Sequence, residues 1–137
     1  MRTIPGIVKI EVVRCAQLPA NVMLTAITRG SVTLVLEPEE VTFYGQPTLK
    51  WEGLIVNKAP QEKSTLEFKT PDRLRLAVRL AFIVTAASGK KYLIGSREGK
   101  YPVVTYTETT GTPDGEAALR SYKITHLARK SVLECIV

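Results

Sequence analysis

The segment Arg73–Thr85, which reads RLRLAVRLAFIVT, is the stretch that decides the fold. Every second residue belongs to one apolar series: Leu74, Leu76, Val78, Leu80, Phe82 and Val84. Alternation with a period of two is typical of a β-strand, because successive side chains point to opposite faces of a sheet. The other series is rich in arginine at first and becomes apolar towards its end. We therefore expect a strand that enters a region covered on both faces as it runs.

A tight turn follows this strand. The residues Ala87-Ser88-Gly89-Lys90 include a glycine, which supplies the positive φ angle that short hairpin turns require. Lys91–Ile94 is again rich in apolar and aromatic side chains, as expected of the returning strand. The sequence therefore predicts a β-hairpin around this turn.

The rest of the chain repeats the pattern of short strands separated by turn residues. Further predicted strands cover Ile7–Cys15, Ser31–Leu36, Val41–Tyr44, Leu49–Asn57, Ser64–Lys69, Val103–Thr109, Leu119–Leu127 and Val132–Val137. Turns or loops are expected at Pro38, Gly45–Pro47, Ala59–Pro60, Thr70–Asp72 and Gly111–Gly115. About nine strands at this spacing predict an all-β fold, a single-domain β-sandwich or partly open barrel over residues 1–137. The sequence does not decide the structure of Ala16–Gly30, which could be a short helix, a strand or a packed loop.

Size and composition indicate an ordinary globular protein. The chain has 137 residues, of which 45% are hydrophobic and 23% charged, and a chain of this size buries about two-thirds of its unfolded surface. No segment approaches the roughly 20 apolar residues of a membrane span, and Pro5, Gly6 and Lys9 interrupt any secretory signal. We expect a cytoplasmic protein without membrane contact. Cys15 and Cys135 should be reduced and buried, unless the first and last strands are neighbours close enough for a disulfide.

Residues with catalytic chemistry are few. His126 is the only histidine, which excludes sites that need two imidazoles. A nucleophilic pair of His126 and Cys135 is possible on sequence spacing, although a structural role for the histidine explains it equally. The loop Gly95–Lys100 differs from a phosphate-binding loop, because it is one residue short between its glycines and Tyr101 replaces the required Ser or Thr.

Metal chemistry is no better supported by the sequence. Glu37, Glu39 and Glu40 cluster around Pro38, but their spacing matches no calcium-binding loop. A solvated turn explains them without a ligand. We therefore expect no catalytic site, no cofactor and no metal, and a protein that is not an enzyme.

The net charge of +6 arises in the second half of the chain. Residues 1–68 carry seven Lys or Arg against seven Glu, whereas residues 69–137 carry twelve basic against six acidic residues. The basic second half of the chain can attract nucleic acid or an acidic protein, although a solvent-exposed face of the fold explains the same charges. Tyrosines lie among these basic residues, as in surfaces that bind single strands, but core packing also accounts for them. The candidate polyanion or partner surface consists of Arg73, Arg75, Arg79, Lys90, Lys91, Arg97 and Lys100.

The stretch Phe82–Gly95, with Tyr101-Pro102-Val103-Val104 after it, resembles a pattern in small uncharacterised proteins encoded among prophage structural genes of gut Bacteroidetes. The pattern is a strand, a Gly turn, a Tyr-Leu-Ile-Gly strand and a Tyr-Pro strand, and the resemblance covers residues 74–137. It implies a virion component of the neck, tail or baseplate, or a factor that assists their assembly.

Two functions follow from these observations. The resemblance implies a non-enzymatic virion structural or assembly protein that acts through protein–protein interfaces with itself or with other virion proteins. Such a protein would be cytoplasmic before assembly and part of the virion afterwards, and it needs only strand edges and patterned charge. The alternative is a small β-barrel or sandwich module that binds nucleic acid or another polyanion through its basic second half, with steep salt dependence.

Overall fold

The chain is a sandwich of two β-sheets in the computed structural model, which describes residues 2–4, 6–18, 32–33, 38–71, 74, 78–95, 101–108, 120–128 and 131–136. The sheets are not closed into a barrel. The predicted all-β class and sandwich architecture are thus confirmed. The described residues contain eleven strands, where the sequence predicts about nine.

The strands have the following bounds in chain order. They are β1 (Arg2–Ile4), β2 (Ile7–Arg14), β3 (Val32–Thr33), β4 (Glu39–Val41), β5 (Tyr44–Val56), β6 (Ala59–Thr70), β7 (Leu80–Ala86), β8 (Lys91–Ile94), β9 (Val103–Glu108), β10 (Arg120–Ala128) and β11 (Leu133–Ile136). One layer is a five-stranded antiparallel sheet in the order β1-β5-β6-β10-β9. The other is a six-stranded sheet in the order β3-β11-β8-β7-β2-β4, in which only β3 and β11 are parallel.

The main core lies between the two sheets. The five-stranded sheet contributes Leu49, Leu66, Phe68, Tyr122 and Ile124, and the six-stranded sheet contributes Ile10, Val12, Phe82, Val84 and Ile94, among others. The ring of Phe68 connects the layers, since its centroid lies 5.7 Å from that of Tyr122 and 6.4 Å from that of Phe82. Burial of these apolar side chains is the main source of stability.

Strand β7 is buried on both faces, as the sequence predicts for its second half. Phe82 and Val84 point into the main core, whereas Ala81 and Ile83 belong to a second cluster on the opposite face of the six-stranded sheet. That second cluster also contains Val13, Cys15, Leu18, Leu93, Leu133 and Cys135.

The predicted start of this strand at Arg73 is wrong. Of its first half, the described residues Leu74, Val78 and Arg79 lie outside any strand, and β7 begins at Leu80. The physical reason is that the chain crosses here from the five-stranded sheet, where β6 ends at Thr70, to the six-stranded sheet. Leu74 and Val78 still pack against the main core, which accounts for the apolar series without a strand.

The predicted hairpin is confirmed from β7 onward. Strands β7 and β8 pair in antiparallel register, with Thr85 opposite Lys91. The Ala86 N–H donates to the Lys90 carbonyl over 2.9 Å, and Gly89 has a φ of 91° in the turn. Glycine is required there because other residues rarely adopt this conformation.

Two predicted turns have a different structure. Gly45–Pro47 lies within β5, where the register shifts between Tyr44 and Thr48 and leaves the segment as a bulge. Ala59–Pro60 belongs to β6, and the turn lies one step earlier at Asn57 and Lys58, whose φ angles are 50° and 63°. Glycine and proline mark bulges as well as turns, so sequence alone does not separate the two.

The remaining predictions are met only in part by the described residues. Ala16–Gln17 lies in a short 3-10 turn over Cys15–Gln17, while residues 19–30 and the predicted loop at Gly111–Gly115 lie outside the described part of the chain. Cys15 and Cys135 are buried thiols and neither forms a disulfide, in agreement with the sequence. Glu39 and Glu40 are exposed, but they lie on β4 rather than in a turn, and Glu37 is outside the described residues.

Candidate interaction surfaces

The predicted basic surface is only partly described. Arg73, Arg75, Arg97 and Lys100 lie outside the described residues, so their contribution stays a prediction. The described members are Arg79, Lys90 and Lys91.

The structure does not bring these three residues together. Arg79 precedes β7, and its guanidinium carbon lies 4.3 Å from the centre of the Tyr101 ring. Lys90 is at the other end of β7, where its Nζ lies 3.8 Å from Glu134 Oε1, and Lys91 follows in β8. A strand of this length separates its ends by about 20 Å. Whether these cations bind a polyanion stays a prediction, but the described ones do not form a single patch.

His126 and Cys135 do not form a nucleophilic pair. His126 lies in β10, on the same face as Tyr122 and Ile124, and therefore points into the main core between the sheets. Cys135 belongs to the second cluster on the far face of the six-stranded sheet. The sheet itself thus separates the imidazole from the thiol.

Each of the two side chains is held by its surroundings. His126 is 1% exposed, and its Nδ1 lies 3.2 Å from the Ser131 carbonyl oxygen, which can only accept, so Nδ1 carries the proton. The Ser64 hydroxyl donates to the His126 carbonyl over 3.4 Å. Burial raises the pKa of the Cys135 thiol to about 11, which disfavours the thiolate that a nucleophile needs.

A carboxylate that the sequence does not single out anchors the start of β11. Glu62 Oε1 accepts hydrogen bonds from the backbone N–H groups of Ser131 over 3.0 Å and Val132 over 3.2 Å. Charge-assisted bonds of this kind are stronger than bonds between neutral groups. Glu62 lies in β6, so the contact joins the five-stranded sheet to the segment that enters the six-stranded sheet.

The hairpin of β5 and β6 extends past its neighbours in the sheet. Strand β10 pairs with β6 no further than Glu62, and β1 pairs with β5 no further than Trp51. Residues 53–61, which we call the arm, therefore pair only with one another among the described strands. The arm is a two-stranded ribbon that projects beyond the paired part of the five-stranded sheet.

The arm is apolar on both faces next to its turn, and the turn itself carries the exposed polar residues Asn57 and Lys58. Ile55 lies directly opposite Pro60, and Val56 lies directly opposite Ala59. Directly opposite residues share one face of a ribbon and the next pair occupies the other face. All of these residues are exposed, and Ile55 is 79% exposed, the largest value among the exposed large hydrophobic residues that the structure describes. Clustered apolar exposure of this kind is typical of an interaction site.

A groove with a volume of about 580 Å³ lies at the opposite end of the same hairpin. Its lining includes Tyr44, Thr48, Glu67, Lys69, Thr107 and Lys123, together with the bulge residues Gly45 and Gln46. Phe68 and Tyr122 also border the groove, but their rings belong to the main core, and the charged side chains next to them along β6 and β10 point the other way. The groove therefore lies on the outer face of the five-stranded sheet.

The charge of the groove is slightly positive. Lys123 lies directly opposite Glu67 in the register of β10 and β6, so the two charges offset each other. Lys69 lies opposite the Ser121 hydroxyl instead of a carboxylate. Tyr44, 53% exposed, stands opposite Lys69 on the other side and adds an aromatic ring to the wall.

The strands under the groove are fixed by a cluster around Arg120. Its Nε lies 3.4 Å from Glu108 Oε1, and its Nη1 donates to the Tyr122 hydroxyl over 3.3 Å. The guanidinium carbon is 4.3 Å from the centre of the Tyr106 ring. The hydrogen bond to Tyr122 and the nearby carboxylate of Glu108 raise the pKa of Arg120, whose charged guanidinium joins β9 to β10.

Comparisons with protein-family models, with curated proteins and with solved structures gave no match. Among the described residues, no helix has the length and apolar character needed to cross a membrane. The described part of the chain also holds no group of three His, Cys, Asp or Glu residues placed to bind a metal ion.

Proposed function

We propose that this chain is a non-enzymatic structural or assembly protein of a phage or prophage virion, acting through protein–protein interfaces. The virion setting follows from the resemblance of residues 74–137 described above. The interface is the part of this proposal that the geometry supports, and one observation carries it: the exposed apolar tip of the arm.

The arm suits a role in assembly because its surface is costly to leave in water. Removing apolar surface from water contributes about 25 cal/mol of favourable free energy for each Å² that is buried. The side chains of Ile55 and Val56 are 79% and 38% exposed, so this free energy is available when a partner binds. A partner that covers the tip removes this surface from water. The backbone needs little ordering on binding, because the ribbon is already paired from Gly53 to Val56.

Light scattering on the purified full chain over a range of protein concentrations tests the proposal. We expect a mass above that of the monomer that rises with concentration, and a return to the monomer in the variant Ile55→Lys. Val8→Lys is the matched control, because Val8 is a 57% exposed aliphatic residue on β2 of the six-stranded sheet, whereas the arm belongs to the five-stranded sheet. A wild-type chain that stays monomeric, and that also does not bind the purified products of genes adjacent to its own, would contradict the proposal.

The second candidate is a module that binds nucleic acid or another polyanion. The observation that favours it is the pair Lys69 and Lys123 in the groove beside the exposed ring of Tyr44. Lysine side chains contact phosphates, and aromatic rings stack on bases in surfaces that bind single strands.

Binding of a fluorescent single-stranded oligonucleotide at low and at moderate salt tests this candidate. Its affinity should fall steeply with salt, because each phosphate contact releases counterions. The double variant Lys69→Gln, Lys123→Gln should reduce both the affinity and the salt dependence. An affinity that is the same at both salt concentrations would exclude the candidate.

A further inference from the structure

We infer that the groove on the outer face of the five-stranded sheet binds a saccharide that carries a carboxylate. The groove and the arm lie at opposite ends of the hairpin of β5 and β6, so saccharide binding does not depend on the proposed association. Three features of the groove support this site: the order of its side chains across the sheet, the charges that are unpaired within the chain, and the wall that the bulge in β5 forms.

The groove is built from two rows of side chains that cross the sheet. At opposite positions on β5, β6, β10 and β9, the first row carries Tyr44, Lys69, Ser121 and Thr107. The second row carries Thr48, Glu67, Lys123 and Thr105. On β6 and β10 the two rows are two residues apart, which corresponds to about 6.6 Å. The two rows thus lie side by side on one face and can contact the same ligand.

The first row attracts a carboxylate. Lys69 is exposed and forms no ion pair with the described residues, and the row contains no acidic side chain. Ser121 is directly opposite Lys69 on β10, about 5 Å away, and its hydroxyl can donate a second hydrogen bond to the same anion. Charge-assisted bonds of this kind are stronger than bonds between neutral groups. The row is therefore complementary in charge to a single anionic group.

The second row favours hydroxyl groups instead. Glu67 is exposed, and a carboxylate only accepts hydrogen bonds, so the ligand group that faces it has to be a donor. Lys123 lies directly opposite Glu67 but forms no ion pair with it, which leaves both side chains able to contact a ligand. A hydroxyl group suits this pair because it donates to the carboxylate while its oxygen accepts from the ammonium.

One kind of ligand satisfies both rows. A sugar ring with a carboxylate at one end and free hydroxyl groups at the other places these groups about as far apart as Lys69 and Glu67, which are two residues apart on β6. The volume of about 580 Å³ is larger than one such ring and lies within the roughly 300–1,000 Å³ of ligand sites. The groove therefore has space for a short acidic oligosaccharide.

The bulge in β5 supplies the apolar wall of the groove. From Tyr44 to Thr48 the strand β5 advances four residues, whereas the opposite positions on β6 are only two apart. Bulges of this kind change the direction of a side chain and are frequent beside binding sites. Tyr44 is 53% exposed at this bulge, and a tyrosine ring loses little conformational freedom on binding. Its face can pack against the C–H bonds of a sugar ring.

A nucleic-acid strand matches the same arrangement less well. Each nucleotide of a strand adds a phosphate, but the groove contains only two lysines and the carboxylate of Glu67. This carboxylate repels phosphates, whereas it binds the hydroxyl groups of a sugar. The position of Glu67 next to both lysines thus favours the saccharide.

Binding of the full chain to an array of immobilised saccharides tests the inference. Every acidic member of the array has an uncharged counterpart, as in sialyllactose with lactose and trigalacturonate with its methyl ester. We expect at least one acidic member to bind about tenfold more tightly than its counterpart, because only the acidic member forms the charged bond to Lys69. Isothermal calorimetry with the free saccharides then gives the dissociation constants.

Lys69→Gln should remove this difference. Its affinity for the acidic saccharide should fall about tenfold, to that of the uncharged counterpart, whose affinity should not change. Lys50→Gln is the matched control, because Lys50 is an exposed lysine on the same face of β5 and lies outside the groove lining. This control should bind as the wild type does, and equal thermal midpoints should show that both variants fold.

Glu67→Gln separates the saccharide from a nucleic-acid strand. For the uncharged saccharide the affinity should fall, because the hydroxyl groups lose a charged acceptor. For a single-stranded oligonucleotide in the groove the affinity should instead rise, because a repulsive charge is removed. The two ligands thus predict changes of opposite sign in one variant.

The site is overturned if no member of the array binds, or if acidic and uncharged members bind equally. An oligonucleotide that binds the wild type but not Lys69→Gln, with no saccharide bound, would make the groove a polyanion site. The mass of Lys69→Gln in light scattering should equal that of the wild type. Failure of saccharide binding is therefore distinguishable from failure of the proposed association, which depends on Ile55 in the arm.

Discussion

The two sheets of this protein differ in what covers them. The six-stranded sheet is buried on both faces along β7, with Phe82 in the main core and Ile83 in the second cluster. The five-stranded sheet is buried on one face only, and its other face carries exposed Lys123 and Glu67 and continues into the arm. The same secondary structure thus has two different environments in one molecule.

This difference should separate the residues that stabilise the fold from those that take part in the proposed association. A residue in the doubly covered sheet contacts neighbours on all sides, so its replacement changes the free energy of unfolding. A residue on the arm contacts little within its own chain, so its replacement should change association and leave folding intact. Substitutions in the two regions should therefore have opposite consequences, and this contrast can be measured.

Phe82→Ala should have the largest effect. Phe82 is completely buried and its ring lies 6.4 Å from that of Phe68 in the opposite sheet. Truncation leaves a cavity between the layers and should lower the free energy of unfolding by about 3–5 kcal/mol, measured by urea denaturation. Val103→Ala on the exposed strand β9 should change it by less than about 0.5 kcal/mol. Similar losses in both variants would remove the distinction between the sheets.

Gly95→Ala should have the next largest effect. Gly95 directly follows β8 and has a φ of 138°, and an added Cβ would lie 2.6 Å from the Cβ of Ala81 in β7. Overpacking and backbone strain together should cost about 2–4 kcal/mol, measured as a lower midpoint of urea denaturation. The control is Gly53→Ala at the base of the arm, where an added Cβ meets nothing within 4 Å. A tolerated Gly95→Ala would show that the sheet is less tightly packed than the structure indicates.

A smaller effect is expected from the buried thiol of the six-stranded sheet. Burial raises the pKa of Cys135 from 9.0 to about 11, so between these pH values the unfolded chain loses a proton that the folded chain retains. The stabilisation is complete below pH 9 and is lost as the pH rises towards 11, with a slope below about 1.4 kcal/mol per pH unit. Unfolding free energies measured from pH 8 to 11 should therefore fall more steeply for the wild type than for Cys135→Ala. Parallel curves would contradict the burial of this thiol.

The smallest effect on folding is expected in the arm. Ile55→Lys replaces a side chain that is 79% exposed, so the free energy of unfolding of the monomer should change by less than about 0.5 kcal/mol. Urea denaturation at a protein concentration below that of association measures this value. A loss above about 2 kcal/mol would mean that Ile55 packs within its own chain, and the arm would then belong to the scaffold.

The sequence predicts the fold best where local signals agree. The alternation around Phe82, the glycine at position 89 and the apolar return through Leu93 all favour one hairpin, and that hairpin is present. Local signals fail where one residue type suits two structures. Gly45 and Pro47 suit a turn as well as a bulge, and the apolar series of Leu74 and Val78 suits a strand as well as a chain that crosses between sheets.

The candidate surfaces are predicted less well than the fold. Leu54, Ile55 and Val56 have the composition of a core strand, and nothing in their order shows that β1 and β10 end before them. The groove combines residues from four strands that are distant in sequence, including Tyr44, Glu67, Thr107 and Lys123. Neither surface has a sequence signal of its own, because both depend on strand pairing.

The sequence by itself determined the all-β class and the β7–β8 hairpin. These features depend on side-chain periodicity, turn chemistry and composition, which are local properties. Only the tertiary structure decided which strands are neighbours, which face of each sheet is covered, and that Ile55 is exposed while Ile83 is buried. Both isoleucines occur in apolar, β-prone segments, and their environments differ because the second layer of the sandwich and the second cluster cover β7, whereas the arm extends beyond the paired strands of its sheet.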